Sequence, residues 1–183
     1  MVQNENQIKS HLQRISNTLL INGGFLNNPG LYSGEMGLVL FFAQYARFSQ
    51  NELYSDCSFN LIEIIQKSIH KGTPVNYKNG LAGIGSSIEY LVQNDYFKVD
   101  TDFLLEEFDE RMFSVENLPY LPIEDLLSIG YYALWRMSGN TARKQTILKT
   151  VLPQMIRFME QKCQHLNFSY PTVSPLRKVF KII

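Results

Sequence analysis

The sequence predicts an all-α fold built from helical hairpin repeats, and three observations carry that expectation. A glycine-bearing turn running straight into an apolar helix recurs at residues 30–46 (GLYSGEMGLVLFFAQYA), 79–91 (NGLAGIGSSIEYL) and, degraded, 124–137 (EDLLSIGYYALWRM). From Gly85 to Gly130 the repeat distance is about 45 residues, a period of stacked helical hairpins. Segments apolar on one face alternate with segments apolar nearly all round, and no part of the hairpin region shows strand alternation flanked by hairpin turns.

Each element follows from local pattern. Ile8, Leu12, Ile15 and Leu19 recur at helical spacing, with Lys9, Gln13, Arg14 and Asn17 on the wet side and Gly23-Gly24 as the stop, so the first helix is an outer one. Residues 36–46 have no wet face and form an enclosed, inner helix. Residues 51–71 read as an outer helix with Leu53, Cys57, Leu61, Ile64 or Ile65 and Ile69 inward, closed by Gly72 at C′. Residues 81–94 form the second inner helix, opened by Gly83, Gly85, Ser86 and Ser87, small residues that admit a neighbouring helix or a ligand. Residues 101–113 follow, with Thr101 as N-cap, Asp102, Glu106 and Glu107 near the positive end, and Phe103, Leu104, Phe108 and Met112 inward. Past Pro119 and Pro122, residues 123–137 make the third inner helix, and residues 140–165 an outer one that Pro153 kinks or splits. About three and a half hairpins result, in a domain of residues 1–166. Pro171 and Pro175 set residues 167–183 apart as a non-helical C-terminal arm.

Composition narrows the function classes. Seventeen basic residues balance seventeen acidic ones, so no global field draws nucleic acid or an anionic membrane. No stretch reaches the eighteen or so apolar residues of a membrane span and the N-terminus lacks a signal-peptide pattern, from which a cytoplasmic location is expected. Two distant cysteines, Cys57 and Cys163, suit reduced thiols.

The starts of the inner helices are the candidate binding region, because unpaired backbone N–H groups and positive dipole ends are expected to converge there. Tyr32, Ser33 and Glu35 stand in the first turn, Tyr77, Lys78 and Asn79 in the second, Glu124 and Asp125 in the third. One reading is a polar mouth that receives an extended peptide. The other is capping, by Ser33 and Asn79, with Glu124 and Asp125 complementing the helix dipole. Gly30, Gly34, Gly37, Gly80, Gly83, Gly85 and Gly130 are read as structural turn glycines; Ser128 stands where the second repeat has Gly83, implying a looser third turn.

Asn28-Pro29-Gly30-Leu31, Gly34-Glu35-Met36-Gly37, Leu40-Phe41-Phe42 and the run from Asn79 to Gly85 together resemble the opening hairpins of lanthionine synthetase C-like proteins, and Leu104-Leu105-Glu106-Glu107-Phe108-Asp109 fits the same pattern. The resemblance implies an α/α-toroid, of which this chain holds a partial ring. It also implies a cyclase chemistry in full-length members, in which zinc held by two cysteines and one histidine deprotonates a peptide thiol for addition to a dehydroamino acid. The family's ligand motifs, a cysteine in one turn and an adjacent Cys-His pair in the next, do not occur here, and Cys163-Gln164-His165 does not match them. His11 and His70 fall on outer helices as solvated side chains and Cys57 as a core thiol. No catalytic residue, no metal ligand and no cofactor is therefore assigned to this chain, zinc being expected only in full-length members. Glu35 is a carboxylate where related sequences often carry a basic residue.

These readings lead to a truncated family member with a peptide-binding or accessory role in ribosomal peptide modification. The alternatives are an interaction module and an inactive remnant. A partial ring is expected to leave Phe41, Phe42, Tyr131, Tyr132, Leu134 and Trp135 uncovered, to be closed by a second copy or by a partner modification enzyme.

Overall fold

The structure is a computed structural model that describes residues 2–114 and 116–165. Every regular element among them is helical: α1 (Val2–Asn22), α2 (Glu35–Ser49), α3 (Glu52–Ser68), α4 (Leu81–Gln93), α5 (Thr101–Leu104), α6 (Glu106–Met112), α7 (Ile123–Ser138), α8 (Lys144–Thr146) and α9 (Leu152–His165). The inner helices α2, α4 and α7 lie side by side, with α1 and α3 on α2, α6 on α4 and α9 on α7. This is the hairpin alternation of an α/α-toroid. The expected arm, 167–183, lies outside the described residues.

The main core joins Ile84, Ile88 and Leu91 of α4 to Leu105, Phe108 and Met112, to Leu126, Ile129 and Tyr132 of α7, and to Met155 of α9. A second cluster holds α1 and α3 against α2 through Leu38, Phe42, Tyr45 and Tyr54. There Tyr45 meets Tyr54 edge-on at 4.7 Å and Phe42 stacks on Tyr54 at 6.1 Å.

That aromatic cluster corrects two outer-helix faces. In α1, Leu12 and Leu19 turn inward as the pattern predicts, but Ile8 and Ile15 are exposed, and Ser16 and Leu20 complete the inner face in their place. Gln13 is exposed, as its place on the wet side predicts, and its amide reaches back to donate to the Tyr54 hydroxyl at 2.9 Å and accept from the Tyr45 hydroxyl at 3.0 Å. Buried phenols need polar partners, and that need sets the helix rotation. In α3, Leu53 is exposed while Tyr54, Ser58 and Ile65 are buried. Asn51 caps this helix by accepting from the Leu53 amide, and it closes at Ile69, so Gly72 lies in the following loop rather than at C′.

The segment after α4 departs further. Asp100, not Thr101, is the N-cap, accepting from the Asp102 amide at 2.9 Å, and the helix breaks at Leu105. Phe103 is 81% exposed rather than inward. Pro153 neither stops nor splits the last outer helix, whose helical backbone is continuous over 144–165; it follows a π turn over Ile147–Val151 and occupies the second position of α9. A proline ring crowds the carbonyl four residues back and supplies no N–H, and the wider π turn absorbs both effects.

Phe42 and Tyr132, expected on an uncovered face, are core residues. Tyr131 and Leu134 are exposed, and Phe41 and Trp135 half-buried.

Candidate functional site

The first two glycine turns share one design. Both N-caps are glycines in extended conformation, Gly34 (φ −135, ψ −172) and Gly80 (φ −127, ψ −168), and no glycine in the chain has positive φ. Space, not backbone freedom, is what they provide. The first amide of α2 donates to the Asn28 carbonyl at 2.8 Å, and the first amide of α4 to the Pro74 carbonyl at 2.9 Å. A Cβ on either cap would collide with that same carbonyl. One turn into each helix, a Cβ on Gly37 would meet the Leu31 carbonyl and one on Gly83 the Tyr77 carbonyl.

The turns also interlock. The Leu31 and Tyr32 amides both donate to the Lys78 carbonyl, at 3.1 and 3.0 Å. Asn28 folds back to accept from the Gly30 amide at 2.9 Å and reaches Asn79 through its side-chain amide at 3.4 Å. Gly30 packs against the Asn79 backbone with no room for a Cβ. Arg111 of α6 clamps the approach to the second turn by donating to the carbonyls of His70, Lys71 and Thr73 at 3.1, 3.0 and 2.7 Å.

The structure therefore joins Tyr32, Ser33, Tyr77 and Asn79 in one rim. Tyr32 is 69% exposed, Ser33 is exposed, and Tyr77 and Asn79 are half-buried. Neither Ser33 nor Asn79 caps a helix. Nor do free N–H groups converge here: the leading amides of both helices are taken by loop carbonyls, Met36 by Gly30 and Ala82 by Val75 among them. The third copy does not repeat the turn. Helix α7 starts earlier, at Ile123 behind Pro122, and the Ser128 hydroxyl donates to the Glu124 carbonyl within the helix. A Cβ on Gly130 would meet nothing closer than the Met155 methyl carbon, at 3.5 Å. Glu124 is exposed; Asp125 is half-buried, and burial and then Glu124 push its carboxyl up.

Glu35 lies beneath this rim, 7% exposed, and burial pushes its carboxyl up. A raised folded pKa contributes stability below the unfolded value of about 4.3, which is lost as pH rises through the folded value. Glu35→Gln is accordingly expected to raise the melting temperature near pH 7 by about 2–4 °C, the shift for roughly 1 kcal/mol in a chain this size, and the gain should shrink toward pH 4. A thermal melt series across pH checks it.

A charged centre that sequence pattern did not find lies at the other end of the inner layer. Arg136 of α7 is 0% exposed. It pairs with Glu89 of α4, with Asp109 of α6 at 2.7 Å and with Asp102 of α5 at 2.6 Å, and donates to the Thr101 hydroxyl at 3.1 Å. Burial works against the guanidinium charge, but the Asp109 and Glu89 bonds outweigh it and hold the group protonated. The Tyr132 hydroxyl donates to Asp109 at 2.5 Å, and burial followed by the Asp109 charge drives this phenol well above its usual range. At Asp102 burial raises the carboxyl, yet bonds from Thr141, the Ala142 amide and Arg136 lower it more. A cavity of about 610 Å³ opens beside this centre, lined in part by Glu89, Gln93, Asp102, Asn140 and Thr141. The available signal was charge inside apolar helices: Glu89 and Arg136 each interrupt a largely apolar stretch of sequence.

An inner layer of helices backed by outer ones, started twice at an interlocked glycine rim, defines a helical-hairpin repeat protein of the toroid class. The chain belongs to the lanthionine synthetase C-like protein family, whose model matches residues 26–173, a span that includes both glycine turns and all three inner helices. No curated protein and no solved structure gives a significant match.

The described residues do not fit the zinc of the family's cyclases: no three His, Cys, Asp or Glu side chains among them are grouped to hold a metal ion. Cys57 is half-buried on α3, its thiol pushed up by burial and then by Asp56, and Cys163 is half-buried on α9. Among the described residues no helix is long and apolar enough to cross a membrane.

Proposed function

We propose that this protein binds a peptide at the rim formed by Tyr32, Ser33, Tyr77 and Asn79, in an accessory role related to lanthionine synthesis on ribosomal peptides. The observation that supports this reading is the interlock of the two turns through the Lys78 carbonyl. It presents side chains from two hairpins on one stiff backbone, so little ordering entropy remains to oppose binding. Recognition falls to those side chains, since the helix amides are already bonded. Fluorescence anisotropy with short labelled peptides rich in serine, threonine and cysteine tests it. Tyr32→Ala, at an exposed position, is expected to weaken binding about tenfold, the cost of one lost aromatic anchor. Absence of binding, or binding indifferent to that change, would overturn the reading.

A second reading, an interface for a second copy or a partner modification enzyme, is favoured by one feature. Leu127, Tyr131 and Leu134 form an exposed stripe along α7. Light scattering of the purified chain at micromolar concentration decides between a dimer, abolished by Leu127→Glu with Leu134→Glu, and a monomer.

A further inference from the structure

We infer that the peptide taken up at the rim is read for positive charge: a lysine or arginine side chain seats among Tyr77, Tyr90, Tyr131 and Trp135 on the inner face. The inference rests on the peptide-binding reading above and adds the substrate's chemistry to it.

Two ring pairs meet where α4 and α7 run side by side. Tyr77 lies 5.8 Å from Tyr131 at an interplanar angle of 54°, and Tyr90 meets Trp135 edge-on at 6.0 Å and 89°. Tyr131 and Trp135 are one turn apart on α7, and the Trp135 indole also stands beside the Tyr77 phenol, so the four rings are continuous. None is fully buried: Tyr131 is 59% exposed and the other three are half-buried. Ring faces left partly open at such spacing attract a cation through their quadrupoles. Gln44 of α2 donates to the Tyr90 hydroxyl at 3.4 Å, bringing the first inner helix to the same place.

One buried hydroxyl at this place is without a hydrogen-bond partner. Ser86, one turn before Tyr90 on α4, is 1% exposed, and its hydroxyl has no hydrogen-bond partner of acceptable geometry even though it stands near the Tyr77 phenol. A buried hydroxyl without a partner is rare in native proteins and suits one supplied by a ligand. It can accept from an ammonium or guanidinium N–H.

The ring faces, rather than net charge, favour a cationic occupant: at the edge of the same cluster the Arg47 guanidinium of α2 already lies over the Tyr96 ring, 3.5 Å from its centroid, and Tyr96 stacks on Tyr90 at 6.2 Å.

Trp135 is the only tryptophan in the chain, so its emission reports directly on this site. The experiment titrates the intact protein with three capped glycine-rich pentapeptides that carry lysine, norleucine or glutamate at the centre. The lysine peptide is expected to shift Trp135 emission and to bind about tenfold more tightly than the norleucine peptide. Tyr131→Ala, at an exposed position, should reduce that preference several-fold, with circular dichroism unchanged. Equal affinity for lysine and norleucine peptides, or preference for glutamate, overturns the charge inference while leaving peptide binding standing. Failure of all three to bind while a peptide rich in serine, threonine and cysteine binds also overturns the charge inference alone; failure of every one of these peptides overturns both.

Discussion

Replacing Arg136 with methionine is expected to lower the free energy of unfolding by about 3–5 kcal/mol, the cost of leaving buried carboxylates without their cation. Glu89 and Asp109 are 1% and 0% exposed, and Asp109, which does not line the cavity beside Glu89, cannot be rehydrated without opening the contact between α4, α6 and α7. Arg136→Lys should recover little. A compact ammonium cannot span Glu89, Asp102 and Asp109 at once, whereas the guanidinium fork does so with Nε, Nη1 and Nη2. Adding Glu89→Gln and Asp109→Asn to Arg136→Met should restore at least half the loss, because the uncompensated charge is gone. Urea unfolding at constant m measures all three, and a loss below about 1 kcal/mol for Arg136→Met would refute the assignment. The same centre sets an acid limit. Asp102 has a depressed pKa, so its contribution is present above the unfolded value of about 3.9 and is lost as pH falls through the folded one. Asp102→Asn should flatten that slope.

Gly83→Ala is expected to destabilise by about 3 kcal/mol, at the upper end for an overpacked position, because the new Cβ strikes the backbone carbonyl of Tyr77. No rotamer change relieves a clash with main chain. Gly85→Ala should cost less: its Cβ would lie 2.5 Å from Cε2 of Tyr132, a side chain, although one anchored by Asp109. Gly130→Ala is expected to stabilise by up to about 1 kcal/mol, since it meets only the flexible end of Met155 and gains helix propensity. Thermal melts of the three variants check the order. A uniform effect would mean that the glycines act through the unfolded chain instead.

The hairpin architecture was legible because helix period and glycine spacing are local signals. The inner helices predicted over 81–94 and 123–137 match α4 and α7 to within a residue. Helix rotation was less so. In α1 the pattern offered Ile8, Leu12, Ile15 and Leu19; Leu12 and Leu19 face the core, while Ile8 and Ile15 do not, because two tyrosine hydroxyls from α2 and α3 bond to Gln13 and turn the helix. Phe103 failed for a related reason: α5 is turned so that Thr101 and Asp102 reach Arg136, which leaves the phenylalanine outside.

The candidate site divides the same way. Tyr32, Ser33, Tyr77 and Asn79 could be named from their places in the repeated phrase, but their union into one rim depends on amides of residues 31 and 32 meeting a carbonyl at 78. Glu35 belonged to the same phrase and folds beneath the rim.

By itself the sequence determined that this is an all-α protein of glycine-started helical hairpins, because period, caps and breakers act within a few residues of chain. Only the tertiary structure decided that the glycines serve close approach rather than positive φ, and that two turns of three interlock. It alone brought Arg136 to three carboxylates drawn from 34, 27 and 47 residues away. Those outcomes depend on steric contact and charge pairing between distant segments, which no local period encodes.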